Sequence, residues 1–264
     1  MGVLIRTDAV NSFTDRVNIL GIEIDNLSMD GALQRICGIV DEGPFSYIVT
    51  PNVDHLIKLK KDASFRRIYD GARLVLPDGV PLVWAARILG TPLRGRVNGT
   101  DLCVRLSSLA SAKGYSIFLL GGSEGVAKRA SEVLEKSLPA LRIAGYYYPE
   151  FGFDKNPEEC LKIQKIIASS GADILFVGLG APKQEKWIQE FGAGCKVKVA
   201  IGVGVSFSFI SGDIRRSPLW MQRNGMEWLW RLLSEPRRLF RRYIIQDMPF
   251  VLLIAKAWLE KRRA

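Results

Sequence analysis

The sequence has few of the residues from which zinc and hydrolase sites are commonly built. Its only histidine is His55, so a histidine-based zinc site or a Ser-His-Asp triad would depend on that single side chain. The four cysteines are widely spaced and form no C-x-x-C pair, which indicates ordinary buried thiols in a reducing compartment: Cys37, Cys103, Cys160 and Cys195. Zinc and triad chemistry are therefore disfavoured.

Long apolar segments are also missing. Residues 1–6 lack the apolar core of a signal peptide. The most apolar stretch lies within residues 248–259, is interrupted by Lys256 and falls far short of the ~20 residues of a transmembrane helix. We therefore expect a cytoplasmic protein.

The net charge of +10 is concentrated at one end of the chain. Residues 215–264 contain twelve Lys and Arg against four Asp and Glu, a balance of +8, which leaves +2 for residues 1–214. A solvated helical face would explain this pattern, and so would a surface for an anionic partner. Trp, Phe and Leu lie among these charges, which favours an anionic membrane surface over nucleic acid. We expect peripheral attachment to the inner face of the cell membrane and no nucleic-acid partner.

Short β-branched runs alternate with amphipathic helical stretches along the body of the chain. Strands are predicted at 17–24, 47–50, 73–76, 115–120, 141–146, 173–177 and 197–203. Helices are predicted at 28–40, 53–69, 81–89, 101–112, 123–138, 157–169 and 182–191, the first of them capped by Ser28. This alternation predicts an α/β fold with a mostly parallel sheet and helices on both faces. Only helical periodicity remains after Pro218, so we divide the chain into an α/β core, 1–214, and a helical basic C-terminal appendage, 215–264.

Several loops follow predicted strands, where ligands of doubly wound sheets bind. They comprise residues 50–55, 77–79, 121–125 and 178–185, and a fifth segment, 96–101, leads into a helix. The glycines of 121–125 favour either a tight turn or a nucleotide cradle. The sequence contains no complete G-x-G-x-x-G fingerprint and no Walker A motif.

Asp78 is the most suggestive carboxylate. It follows an apolar strand and precedes Gly79, so a partly desolvated Asp78 could act as general base on a hydroxyl. Its alternative role is the N-cap of the following helix. The sequence also lacks the D-x-D pair that holds a metal against a sugar nucleotide, which favours a metal-independent mechanism if a diphosphate is involved.

Taken in order, these segments resemble the WecG/TagA/CpsF family of bacterial glycosyltransferases over roughly residues 17–245. The matching segments are 50–52, 77–79, 84–87, 96–101, 121–122, 125–127, 178–180, 182–185, 216–218, 227–228, 231–232, 235–238 and 241–243. Any single piece is weak evidence, but their order is specific.

The resemblance implies a Rossmann-like domain with a helical C-terminal appendage, working without a cofactor or a catalytic metal. It implies an inverting enzyme that moves a hexose-type sugar from a UDP-sugar donor onto a polyprenyl-diphosphate-linked sugar acceptor at the cytoplasmic membrane. The sugar could be N-acetylmannosamine, its uronic acid, glucose or glucuronic acid. Such enzymes build wall teichoic acid linkage units, enterobacterial common antigen, or capsular and exopolysaccharide.

Carried over position by position, the resemblance assigns Asp78 as general base. It assigns the substrate pocket to Thr50, Asn52, Arg96 and Gln184. It also implies that three tail arginines reach the acceptor's diphosphate: Arg231, Arg238 and Arg241. Their spacing of seven and three residues predicts one shared helical face, although Pro236 weakens that expectation.

The sequence departs from the family pattern after the last predicted strand. Val205 and Ser208 stand where the family often has Gly and Asp. If that Asp contacts the uridine, donor recognition here differs in detail.

Two functions of other classes stay open at this point. One is a non-catalytic nucleotide- or RNA-binding module with a basic helical tail, which would have no need of a carboxylate at position 78. The other is a dinucleotide-dependent oxidoreductase, disfavoured by the incomplete glycine fingerprint. The sequence is compatible with a homo-oligomer.

Overall fold

A computed structural model describes residues 15–263, apart from the side chains at 223, 238, 242, 244, 245 and 263. Six strands form one parallel sheet in the order β4-β3-β8-β7-β5-β6, which confirms the mostly parallel sheet. Two further strands, β1 and β2, pair with each other. The strands are β1 (Arg16–Ile19), β2 (Ile22–Asp25), β3 (Ser46–Val49), β4 (Leu74–Val75), β5 (Ser116–Gly121), β6 (Arg142–Tyr147), β7 (Ile174–Gly178) and β8 (Val199–Gly202).

Helices cover both faces of the sheet, as the β-α alternation predicts. From residue 15 to residue 214, the described part of the body, the α-helices are α1 (Met29–Glu42), α2 (Val53–Lys61), α3 (Ala63–Asp70), α4 (Val80–Ile88), α5 (Gly99–Lys113), α6 (Val126–Ser137), α7 (Pro157–Ser170), α8 (Lys183–Phe191) and α9 (Ser206–Ile210). Helices α1, α5, α6 and α9 share one apolar core with one face of the sheet. Helices α2 to α4, α7 and α8 pack on the opposite face.

The strand predicted at 17–24 is wrong in one respect: it is a hairpin of β1 and β2. Leu20 and Gly21 form the turn, with φ of 54° and 87°, and reverse the chain. The hairpin then lies beside β4, where a carboxylate oxygen of Asp25 accepts a hydrogen bond from the Val75 amide at 2.7 Å. The alternation of apolar and polar residues over 17–24 predicted extended structure correctly. The turn at Gly21 divides that stretch into two antiparallel strands.

The helix predicted at 53–69 is two helices. Asp62 leaves helical geometry at φ −121°, and its carboxylate accepts from the amides of Ser64 and Phe65, which starts α3 anew. The cap predicted for the first helix is confirmed, because the Ser28 hydroxyl accepts from the Gly31 amide at 3.1 Å.

After Pro218 the described chain is helical. It forms α10 (Leu219–Arg223), α11 (Glu227–Ser234), α12 (Pro236–Phe240), a π-helical stretch (Arg241–Gln246) and α13 (Met248–Arg263). Within residues 15–263, no helix combines the length and the apolar character needed to cross a membrane.

Helix α13 returns to the α/β body. Phe250 and Ile254 are buried in the core that α2 and α4 share, and the ammonium group of Lys261 donates to the carbonyl oxygen of Leu89 at 2.6 Å. The outward face of α13 leaves Val251 and Leu252 exposed. Helix α13 therefore has apolar residues both on the side that packs against the core and on its outward side. The division of the chain at residue 214 stays a prediction.

Candidate active site

The candidate site lies beyond the carboxyl ends of β3, β4 and β8. The chain leaves β3 for α2 on one face of the sheet and leaves β8 for α9 on the other, and such a divergence opens a crevice between neighbouring strands. The Thr50 hydroxyl, directly after β3, donates to the Gly202 carbonyl at 3.0 Å. The Asp78 amide, after β4, donates to the Pro51 carbonyl at 2.8 Å. These bonds join the three strand-end loops.

Asn52 is the N-cap of α2. Its side-chain oxygen accepts from the His55 amide at 3.3 Å, which begins the helix at the rim of the crevice. The His55 ring is itself buried, with Nδ1 2.8 Å from the Tyr69 hydroxyl and its edge against Phe65. The only histidine of the sequence is thus part of the packing between α2 and α3.

Asp78 is partly accessible and faces several charged groups. Burial, the largest cause, and the charge of Glu227 raise the pKa of its carboxyl, whereas Arg96, Arg231 and the Gly99 amide lower it; the net pKa is about 6. The alternative interpretation of Asp78 as a helix cap is wrong, because the N-cap of α4 is Gly79 and no side chain caps that end. Gly79 has a φ of 112°, a conformation that other residues rarely adopt.

An arginine–carboxylate cluster of Arg96, Asp101, Arg216 and Glu227 borders Asp78. The Glu227 carboxylate accepts from Arg96 Nη1 at 3.0 Å and from Arg216 Nε at 3.2 Å. Arg216 also donates to Asp101, whose side chain accepts in turn from Asn98. The cluster connects the loop before α5 to the start of α11, so residues of the C-terminal helices reach the crevice.

Arg231, on α11, also acts on the carboxyl of Asp78. It follows Glu227 by four residues, one helical turn, and its guanidinium lies over the Phe209 ring, 5.7 Å from the ring centre. Among the groups that the structure describes, none bonds its buried Nε. The structure therefore brings Thr50, Asn52, Asp78, Arg96 and Arg231 to one end of the sheet.

Gln184 lies behind the crevice and is 2% exposed. Its nitrogen donates to Glu185 at 2.8 Å and its oxygen accepts from the Gly204 amide at 3.1 Å. A Cβ at Gly202 would come within 2.7 Å of the Gln184 amide nitrogen, so the close approach requires glycine there. Burial raises the pKa of the adjoining Glu185 to about 7. Gln184 thus fixes the loop after β8, and its contact with substrate stays a prediction.

The expectation that the three tail arginines share one helical face is wrong. Helix α11 ends at Ser234, Glu235 leaves helical geometry, and α12 begins at Pro236. Arg241 lies on the π-helical stretch with an exposed side chain, and the side chain of Arg238 lies outside the described residues. The proline ends the continuous periodicity on which the prediction depended.

The departure from the family pattern at residues 205–208 falls on α9. Val205 precedes the helix, and Ser208 is partly buried on its first turn.

In the part of the chain that the structure describes, no three His, Cys, Asp or Glu side chains gather as they would around a metal ion.

The model of the WecG/TagA/CpsF family of glycosyl transferases matches residues 17–264. The chain belongs to this family. A relative from Bacillus spizizenii is 32% identical over 75% of each chain, and one from Staphylococcus aureus strain MRSA252 is 28% identical over 93% of this chain and 94% of its own. Both are named N-acetylglucosaminyldiphosphoundecaprenol N-acetyl-beta-D-mannosaminyltransferase. The protein is therefore a glycosyltransferase, and the non-catalytic and oxidoreductase alternatives are set aside.

Four residues of the site were given no role from the sequence: Asp101, Phe209, Arg216 and Glu227. Asp101, Arg216 and Glu227 lie in segments that carry the family resemblance, which was the available signal. Their pairing could not be read from local spacing, because Glu227 meets Arg96 across 131 positions of the chain.

Proposed function

We propose that this glycosyltransferase moves N-acetylmannosamine, or a closely related hexose-type sugar, from a UDP-sugar onto a polyprenyl-diphosphate-linked sugar, with inversion and without a metal. The acceptor and the transferred sugar in the names of the relatives support this substrate class. The pathway would be synthesis of teichoic acid or another cell-surface polysaccharide at the inner face of the cell membrane.

The observation that carries the proposal is Asp78 at the carboxyl end of β4, where the charges of Arg96 and Arg231 act on its carboxyl. A carboxyl with a pKa of about 6 is mostly ionised at neutral pH, yet basic enough to accept a proton. The acceptor hydroxyl would give its proton to Asp78 while its oxygen attacks the anomeric carbon. The bond from that carbon to the UDP oxygen breaks, UDP leaves with the bonding electrons, and an α-linked donor gives a β-linked product.

The negative charge of the departing diphosphate needs hydrogen-bond donors to stabilise it, and the guanidinium group of Arg231 is suited to supply them. Its guanidinium is held by Phe209, and its Nε has no protein partner within the described residues. Guanidinium groups bind phosphate oxygens in a fork of parallel hydrogen bonds. Arg96, Arg238 and Arg241 would contribute further positive charge, while Thr50, Asn52 and Gln184 would shape the pocket.

The exposed apolar residues of the C-terminal helices support a peripheral membrane location. Trp220, Leu233, Val251 and Leu252 are all more than half exposed and lie in the segment that carries a balance of +8. Apolar side chains interleaved with Lys and Arg suit the boundary between acyl chains and anionic headgroups. Residues 215–264 would thus hold the core, 1–214, at the membrane that contains the acceptor.

A direct assay tests this function. The purified chain is incubated with a panel of UDP-sugars and polyprenyl-diphosphate-linked N-acetylglucosamine, with and without EDTA, and the anomer of the product is read by NMR. We expect a β-linked disaccharide and a rate that survives chelation. Retention of the α configuration, or a rate that collapses in EDTA and returns with Mg²⁺ or Mn²⁺, would contradict the mechanism. Absence of transfer from every UDP-sugar would contradict the substrate class.

A further inference from the structure

The Glu227 carboxylate divides its two oxygens between two arginines. Oε2 accepts from Arg96 at 3.0 Å, and Oε1 accepts from Arg216 at 3.2 Å. The three side chains are largely buried, with 16%, 19% and 25% exposed for Glu227, Arg96 and Arg216. Charge-assisted bonds between partly buried groups are stronger and better fixed than pairs at the surface. Glu227 therefore fixes the positions of both guanidinium groups.

The place of Glu227 in its own helix extends this effect. It lies in the first turn of α11, where a carboxylate is favoured by the helix dipole and where Met226 offers no side-chain cap. Arg231 follows one turn later on the same face, and Asp78 is influenced by both side chains. The ion pairs of Glu227 thus bring the start of α11 to the core, with Arg231 beside Asp78.

We infer that Glu227 is a positioning residue for the transfer reaction: it keeps Arg96 from forming an ion pair with Asp78 and seats Arg231 next to Asp78. This inference rests on the proposed function, in which Asp78 is the base. Without the Glu227 charge, Asp78 becomes a competing carboxylate for Arg96. An ion pair between them would lower the basicity of Asp78 and occupy the oxygen that must accept a proton.

The groups that face Asp78 set the direction of the expected pH effect. Arg96 and Arg231 carry positive charge, Glu227 carries negative charge, and the Gly99 amide donates a hydrogen bond. Removing only the negative charge lowers the pKa of Asp78. The acidic limb of the pH profile of kcat/KM should therefore move to lower pH. A purely structural role for Glu227 would leave that limb where it is in wild type.

The chain offers a matched control in Glu42. Its carboxylate also divides its oxygens between two arginines, Arg35 at 3.3 Å and Arg73 at 2.8 Å. Arg73 precedes β4 and Asp78 follows it, so this second bridge lies at the opposite end of the strand. Glu42→Gln and Glu227→Gln remove the same charge from a carboxylate that bridges two arginines, and Glu42 is the more exposed of the two, at 43% against 16%.

The experiment compares wild type, Glu42→Gln, Glu227→Gln and Glu227→Asp, using UDP-N-acetylmannosamine and the polyprenyl-diphosphate acceptor. We expect Glu42→Gln to match wild type. Glu227→Gln should lose about 10- to 100-fold in kcat, and its acidic limb should move down by about one pH unit, the size of effect that one neighbouring charge has. Glu227→Asp keeps the charge, so its limb should stay near that of wild type.

The outcomes separate this inference from the proposed function. If wild type and Glu42→Gln transfer no sugar, the proposed function fails. If they transfer sugar and Glu227→Gln equals them in kcat and in limb position, the positioning role is overturned. Lower kcat and lower thermal stability with an unmoved limb would also overturn it, since Glu227 would then serve the fold alone. If Glu227→Gln fails to fold, Glu227→Asp decides, because it keeps the charge but shortens the side chain. A lower kcat at wild-type thermal stability supports positioning, and a wild-type kcat or a displaced limb overturns it.

Discussion

The backbone amide of Asp78 donates a hydrogen bond to the carbonyl oxygen of Pro51 at 2.8 Å. This bond fixes the candidate base to the loop between Thr50 and Asn52, so the ends of β3 and β4 form one unit. The next residues form a similar connection, since the Val97 amide donates to the Pro77 carbonyl at 2.8 Å. The backbone around Asp78 is thereby held independently of its carboxylate.

Asp78→Asn should therefore remove activity without disturbing the loop. An amide has nearly the same shape but cannot accept the proton, and general-base contributions are typically about 10²–10⁴-fold. The measurement is kcat at saturating donor and acceptor, with circular dichroism as the check on the fold. Turnover near that of wild type would show that another group takes the proton.

Asp78→Asn should become more stable relative to wild type as the pH rises. In the folded protein the pKa of Asp78 is about 6, above its ordinary value of 3.8, so the folded state binds this proton more tightly than the unfolded state. The contribution is present below pH 4 and is lost as the pH rises through 6, where the ionised carboxylate becomes costly. Asp78→Asn removes that cost. Its Tm advantage over wild type should be larger at pH 8 than at pH 5, and an equal difference at both values would refute the raised pKa.

Arg231→Lys should lower kcat/KM by about 10- to 100-fold. The substitution keeps the charge but loses the planar fork and the stacking on Phe209, and hydrogen bonds to charged groups contribute roughly 1.5–3 kcal/mol. Steady-state kinetics in detergent, where membrane binding plays no part, provide the measurement. Arg237→Lys is the control, because Arg237 is an exposed arginine of α12. Equal rates for the two variants would remove Arg231 from the site.

Val251→Ser with Leu252→Ser should weaken binding to anionic vesicles by at least about tenfold, since burying one such side chain in an apolar phase contributes about 1.5–3 kcal/mol. Flotation of the chain with phosphatidylglycerol vesicles measures this. Val133→Ser with Leu161→Ser is the control, because it makes the same substitutions at exposed residues on α6 and α7, which are 41% and 46% exposed against 61% and 67% for Val251 and Leu252. Point variants are preferable to a cut at residue 214, which would also uncover the core beneath Phe250. Equal flotation of the two double variants would exclude the outward face of α13 as the contact.

The sequence was sufficient for much of the fold because its signals are local. Alternating β-branched runs and helical periods predicted the parallel sheet, and the Ser28 cap was predicted from a serine at the start of a helical stretch. The errors at 17–24 and 53–69 have local causes as well. Gly21 reverses a strand through a positive φ, and Asp62 ends one helix by capping the next. Neither residue changes the hydrophobic pattern around it.

The site was predictable only in part, for a physical reason. Asp78 could be identified because a carboxylate after an apolar strand lies at a known edge of the sheet. The charges that set its pKa come from positions 96, 227 and 231, and tertiary packing alone brings them together. Because the helix is interrupted at Glu235, the spacing of the tail arginines in the sequence did not predict which of them share a helical face.

Asp25 has a consequence for how copies of this chain could assemble. Its carboxylate occupies the Val75 amide on β4, the terminal strand of the sheet, where another polypeptide would otherwise add. Strand β4 has only two residues, and the hairpin of β1 and β2 covers it. This edge is closed to strand addition in the way that natural sheets protect themselves from aggregation. A homo-oligomer built by continuing the sheet would have to use β6, the opposite and longer edge.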